Sequence, residues 1–206
     1  MRSPLANQSG LTINNITCIR QQQILFRDLN LQIHPGECLL IEGANGSGKT
    51  TLLKMLARLA TPDSGNILWQ GQDIQQYGHE YGAELHYVSH QQGIKLGLTI
   101  RENLRLAGLS DELVNNLLPV LHLAQHQHTL ASALSAGQKR KLALLRLFVG
   151  SKKLWLLDEP LTTLDKFTQD WLLVNITAHL SQGGICVLSS HQPVDLKNPL
   201  QRLTLC

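Results

Sequence analysis

Aromatic side chains are scarce in this chain, at 4% of 206 residues. Aliphatic packing, chiefly leucine, therefore has to fill the interior. Charge is modest too: 16% of residues are charged, and 18 lysines and arginines against 15 acids leave a formal net charge of +3. A nucleic-acid footprint needs basic residues that are clustered as well as in excess, and so small a surplus does not argue for one. Mild attraction to an anionic membrane surface is the most it offers. The four cysteines, Cys18, Cys38, Cys186 and Cys206, form no C-x-x-C pair. Three of them sit in apolar contexts typical of buried thiols, which argues against a disulfide or zinc framework and for a reducing cytosol. Long hydrophobic runs are missing as well. LALLRLFVG is too short to span a bilayer and carries Arg146. MRSPLANQSG has no apolar segment after it, so no targeting peptide is expected and any membrane role has to come through a partner. Repeats, low-complexity tracts and linkers are also absent, which leaves one domain.

What is present is an alternation of strand and helix patterns. LTINNITCI and LNLQI alternate as strands do, and the apolar run CLLIE leads into GANGSGKT. A helical pattern follows through TLLKMLARLA, with Leu52, Leu56 and Leu59 at helical spacing, and TPDSG stops it. NILWQGQDI and LHYVS supply further strands. From there to about Phe148 the pattern is helical, with a T-x-x-E capping box at Thr99 and Glu102 and Ser110 as a cap for DELVNNLL. Pro119 is expected to interrupt that segment and start a new helix. KLWLLD and ICVLSS are apolar enough for strands buried on both faces of a parallel sheet, with the helical WLLVNITAHL between them. The reading is an α/β core, about residues 1–89 and 150–206, interrupted by a helical subdomain at about 90–149.

GANGSGKT, Gly43 to Thr50, fits G-x-x-x-x-G-K-[ST] in full, a match that average residue usage makes by chance in below roughly one chain of this size in a hundred. Glycines at 43, 46 and 48 let the backbone curl so that its N–H groups face phosphate oxygens. The helix starting near Lys49 adds its positive end. Lys49 is placed to reach the β- and γ-phosphates and the Thr50 hydroxyl to ligate Mg²⁺. LWLLDEP ends a strand in Asp158 and Glu159. The first suits Mg²⁺, and the second suits orienting or deprotonating an attacking water. VLSSHQ sets His191 at the carboxyl end of another core strand, where a γ-phosphate contact is wanted. In LSAGQKRK, Ser135 and Gly137 open a helix far along the chain from the glycine-rich loop. They offer a hydroxyl and close backbone N–H donors at a positive helix end. Lys139, Arg140 and Lys141 read as a solvated helix face.

GANGSGKT, LSAGQ, LWLLDEP, LTTLD and SSHQ, in that order, resemble the motif set of ABC-type ATPases, with Ala136 a mild departure in the signature. The resemblance covers essentially the whole chain. It implies a P-loop NTPase core with a mainly parallel sheet, N-terminal antiparallel strands and a helical insert. It further implies a head-to-tail homodimer with ATP and Mg²⁺ held between the two chains. Gly43, Ala44, Asn45, Gly46, Ser47, Gly48, Lys49, Thr50, Thr51, Asp158, Glu159 and His191 come from one protomer, and Ser135, Gly137 and Gln138 from the other. Asp165 resembles the family's dimer-contact loop. The family's glutamine beside the metal falls at His90, with Gln91 one residue later, and either fits. Arg20 stands near the slot of the aromatic that stacks on adenine, and its guanidinium plane suits stacking too.

YVSHQQGIKLGLTIRENL, LSAGQKRKLALLRLF and SSHQPVDL together are similar to the ATP-binding subunits of cytochrome c maturation systems. That likeness implies integral membrane permease subunits as partners, an indirect link to a haem chaperone, and a peripheral position on the cytoplasmic face of the bacterial inner membrane. His122 and His126, four apart on an expected helix, are read as surface histidines rather than haem ligands. Two rival readings fit less well. Soluble ABC-type ATPases of translation or DNA repair join two domains or insert long coiled coils. P-loop GTPases and kinases do not explain LSAGQ, and no N-K-x-D motif occurs.

Overall fold

The computed structural model describes residues 10–89 and 93–206. Two sheets enclose one helix. Strands β1 (Leu11–Arg20), β2 (Gln23–Ile33), β4 (Ser64–Trp69) and β5 (Gln72–Asp73) form an antiparallel sheet in the order β2-β1-β4-β5. Strands β6 (Leu85–Val88), β7 (Leu154–Leu157), β8 (Ile185–Ser189), β3 (Cys38–Gly43) and β9 (Leu200–Leu205) form a second sheet in that order, parallel throughout. This is the fold class the sequence leads one to expect.

The apolar runs are continuous because the parallel strands bury both faces. On one side Leu39 and Ile41 of β3 pack with Leu52, Leu53, Met55 and Leu56 of α1 (Lys49–Leu56) and with the inner face of the antiparallel sheet. On the other, Cys38 and Leu40 pack with Leu172, Ile176 and Leu180 of the helix Lys166–Ser181. Helix α1 is shorter than the leucine spacing implies. It ends at Leu56, Arg58 takes a left-handed conformation at φ 58°, and Leu59 is exposed.

The remaining helices are α2 (Glu80–Glu84), α3 (Ile100–Ala107), α4 (Asp111–Val120), α5 (Ala136–Leu145) and α6 (Lys166–Ser181). Helix α3 opens on the expected Thr99–Glu102 capping box, and Ser110 Oγ accepts from the Leu113 N–H at the start of α4. Pro119 does not begin a new helix. It sits in the last turn of α4, which runs on to Val120, where the lost N–H removes only one terminal hydrogen bond. The insert has its own core, in which Ile100, Leu104, Val114 and Leu118 meet Leu142 and Leu145 of α5. Ala143 and Leu144 face the α6 side of the parallel sheet instead. Helix α5 is thus shared between insert and core, and each buried leucine contributes roughly 2 kcal/mol to holding it there.

Candidate functional site

In a parallel sheet all strand carboxyl ends lie on one edge, and ligands bind beyond it. Strand β8 sits between β7 and β3, so the loops after these three strands are neighbours. They enclose a cleft of about 450 Å³ lined by Asn45, Gly46, Gly48, Lys49, Thr50 and Thr51 with Asp158, Glu159, Thr162 and His191.

The phosphate loop is drawn tight. Gly43 has φ 146°, and a Cβ there would lie 2.3 Å from the Leu205 carbonyl oxygen and 2.6 Å from Ser47 Oγ, so only glycine fits. Gly46 and Gly48 also have positive φ. Lys49 Nζ donates to the carbonyls of Gly43 at 2.8 Å and Ala44 at 3.0 Å, folding the side chain along the loop. Ser47 Oγ is buried without a hydrogen-bond partner.

The acids meet this loop directly. Thr50 Oγ1 lies 2.9 and 3.1 Å from the two oxygens of Asp158, which is 1% exposed, and Ser189 Oγ donates to Asp158 Oδ1 at 2.9 Å. The same Ser189 Oγ accepts from the Glu159 N–H at 2.9 Å. Glu159 has φ 49°, a left-handed conformation that costs a non-glycine residue on the order of 1 kcal/mol. His191 Nε2 stands 3.1 Å from Glu159 Oε1, a close contact without the direction of a hydrogen bond. Thr162 Oγ1 donates to the Glu159 carbonyl at 2.8 Å.

Arg140 corrects the solvated-face reading of Lys139 to Lys141. It is 1% exposed, and its guanidinium donates to the carbonyls of Asp158 at 2.6 Å, Glu159 at 2.7 Å, Pro160 at 3.4 Å and Ser89 at 2.9 Å. Burial lowers its pKa while Asp158 and Glu159 raise it. Its neighbours are tied down as well: Lys139 Nζ reaches the Ser132 carbonyl, and Lys141 Nζ pairs with Asp165 Oδ2 at 2.7 Å. The signal was in the helix period. Arg140 lies four residues before the buried Leu144, on the inner face of α5.

The signature residues are elsewhere. Ser135, Gly137 and Gln138 are not in the cleft lining. Ser135 caps α5 through a reciprocal box, its Oγ accepting from the Gln138 N–H at 3.2 Å and its own N–H donating to Gln138 Oε1 at 2.9 Å. A Cβ on Gly137 would meet the Thr163 carbonyl oxygen at 2.9 Å, so the helix start packs against the LTTLD loop. In that loop Asp165 caps α6, accepting from Thr168 N and Oγ1 at 2.8 Å each. The Lys141 and Thr168 bonds hold its carboxyl well below the usual carboxylate range.

Arg20 does not line the cleft either. Its guanidinium is engaged by Asp63 at 3.0 Å and the Thr61 carbonyl at 3.2 Å. His90 and Gln91 lie outside the described residues. His122 and His126 are not one turn apart on a helix: His122 follows α4 in a left-handed conformation against Phe167, and His126 ends a short 3₁₀ turn.

The sequence profile described as ABC transporter matches residues 26–162. Two relatives are both named cytochrome c biogenesis ATP-binding export protein CcmA. The one from Vibrio cholerae serotype O1 is 42% identical over 93% of this chain and 96% of its own. The one from Pseudomonas aeruginosa is 44% identical over 87% of this chain and 91% of its own. The chain belongs to the ABC transporter family. Among solved structures, an ATP-binding subunit of an ABC transporter superposes on this family member with a TM-score of 0.78 at 26% identity, covering 89% of this chain and 80% of that one. A second ABC cassette, a dimeric post-hydrolysis state bound to ADP and Pi, shares the fold with a TM-score of 0.77 at 22% identity over 88% of each chain.

Proposed function

We propose that this chain is the ATP-hydrolysing subunit of a membrane ABC complex for cytochrome c biogenesis, as the names of its relatives suggest. The observation that carries the ATPase reading is the convergence of Thr50, Asp158, Glu159 and His191 on one cleft beside the phosphate loop. Lys49 and the loop N–H groups would bind the phosphates. Thr50 and Asp158 offer hydroxyl and carboxylate oxygens, the hard donors Mg²⁺ takes, and the orphaned Ser47 hydroxyl supports an oxygen-rich ligand there. When bound, Mg²⁺ neutralises charge on the phosphate oxygens. Glu159 orients and deprotonates water, a role typically worth 10²–10⁴-fold. His191 steadies the γ-phosphate from beside Glu159.

The active form is a two-fold dimer in which Ser135, Gly137 and Gln138 of one protomer close on the nucleotide of the other. Support comes from the exposed helix start and its separation from the cleft of its own chain. ATP favours the closed dimer and hydrolysis the open one, and that difference in affinity can do work on a partner. Among the described residues no helix is long and apolar enough to cross a membrane. Docking on permease subunits fits a cavity of about 130 Å³ lined by Ile94, Lys95, Leu104, Leu106 and Arg146, where Leu106 is 64% exposed. The reading sets the chain peripherally on the cytoplasmic face of the inner membrane, as its likeness to the cytochrome c biogenesis proteins suggests. The work is export of haem or release of a haem-carrying chaperone.

The test is to express the chain with its membrane subunits and assay both Mg²⁺-dependent ATPase activity and cytochrome c production. The reading expects Glu159→Gln to abolish both while nucleotide binding survives. A Glu159→Gln complex with wild-type turnover contradicts it.

A further inference from the structure

We propose that Arg140 is a positioning residue for hydrolysis. From inside α5 it holds the Asp158–Glu159–Pro160 turn in the conformation that aims the Glu159 carboxylate, and so joins the helix start offered to a partner's nucleotide to the acids of its own site. The inference rests on the reading of Glu159 as the acid that orients water.

A guanidinium 1% exposed must satisfy its donors, because an uncompensated buried charge costs several kcal/mol. Among the described residues Arg140 does so on backbone carbonyls, three of them consecutive, at Asp158, Glu159 and Pro160. These three carbonyls face the one guanidinium across a bend at the left-handed Glu159. Ser189 Oγ takes the Glu159 N–H from the other side at 2.9 Å. The turn is therefore fixed between a hydroxyl on β8 and a guanidinium on α5. The fourth acceptor is the Ser89 carbonyl at 2.9 Å, one residue past the end of β6. One side chain thus links α5, the end of β7 and the end of β6.

Arg140 hydrogen-bonds to the turn after β7 and to Ser89 rather than to the phosphate loop, so nucleotide binding and catalysis should separate in its variants. Lysine keeps the charge but not the planar fork, and methionine keeps only the volume. In the assembled membrane complex, Arg140→Lys is expected to lower kcat about tenfold and Arg140→Met about 10²-fold, since small misplacements of a reacting group have costs of that size. ATP affinity should stay within about twofold in both, because Lys49 and its loop are undisturbed. Combining Arg140→Met with Glu159→Gln should give no further loss beyond Glu159→Gln alone, as expected when one residue acts through the other. A merely structural role predicts the opposite, with ATP affinity and kcat falling together and the two losses adding. Either result overturns the inference, as does Arg140→Lys turning over at the wild-type rate. A wild-type complex without ATPase activity overturns the parent reading and this inference together, whereas an active wild type with fully active Arg140→Lys overturns this inference alone.

Discussion

The phosphate-loop cleft and the start of α5 both present helix N-termini, yet they are finished differently. The cleft draws on three strand ends and closes on itself, with Lys49 on its own loop carbonyls and Thr50 on Asp158. The α5 start is exposed at Ser135 and Ala136, and among the described residues its hydroxyl is engaged by its own cap. On the proposed reading the cleft supplies the phosphate side of the pocket, while the helix start, capped within its own chain, is the half-site that a second copy would bring to it.

Glu159→Gln sharpens the contrast most. Turnover should fall about 10³-fold with ATP binding retained, since on the proposed reading the change removes the base and leaves the loop intact; a nucleotide titration beside a steady-state assay checks it. Leu142→Ala strikes the other half. Leu142 is 1% exposed in the insert core, and its truncation should cost about 3 kcal/mol in a denaturant melt. Dimerisation should weaken while the monomer's cleft still binds nucleotide.

The junction between insert and core should respond to pH. His86 of β6 donates to the Val149 carbonyl at 2.9 Å, where the chain leaves the insert for β7. Burial pushes its pKa from 6.5 down to about 4, against the raising effect of that hydrogen bond, with Lys152, Arg146 and His179 lowering it further. Between those values the unfolded chain holds the extra proton, so stability is full above 6.5 and is lost as pH falls toward 4. The loss should be roughly 2 kcal/mol, discounted because the ring is not fully buried, and His86→Gln should flatten the profile. The smallest effect belongs to Ser135→Ala. Removing the cap should lower stability by about 1 kcal/mol and weaken ATP-dependent association, with ATP binding by the monomer unchanged.

The cleft was legible in the sequence because a phosphate loop needs closely spaced glycines before a helix, here Gly43, Gly46 and Gly48, and because Asp158, Glu159 and His191 each closely follow an apolar strand. Ser189 and Arg140 were harder to read. Ser189 acts on a carboxylate and an N–H 31 and 30 residues away, and Arg140 acts on carbonyls 18 to 51 residues away. A backbone acceptor leaves no residue type to recognise. Strand β9 was missed because LQRLTL is only half-buried at the sheet edge and lacks a continuous apolar run. Helix α1 read too long because leucine spacing carries no mark of the left-handed Arg58.

The central claim is that two chains share each nucleotide. It is tested most directly by the solution mass of the Glu159→Gln chain by light scattering, with and without saturating Mg²⁺ and ATP. The account predicts a monomer without nucleotide, a dimer with it, and a return to monomer when Ser135→Ala and Gly137→Ala are added. A chain that binds ATP in its cleft yet keeps the mass of a single copy contradicts it.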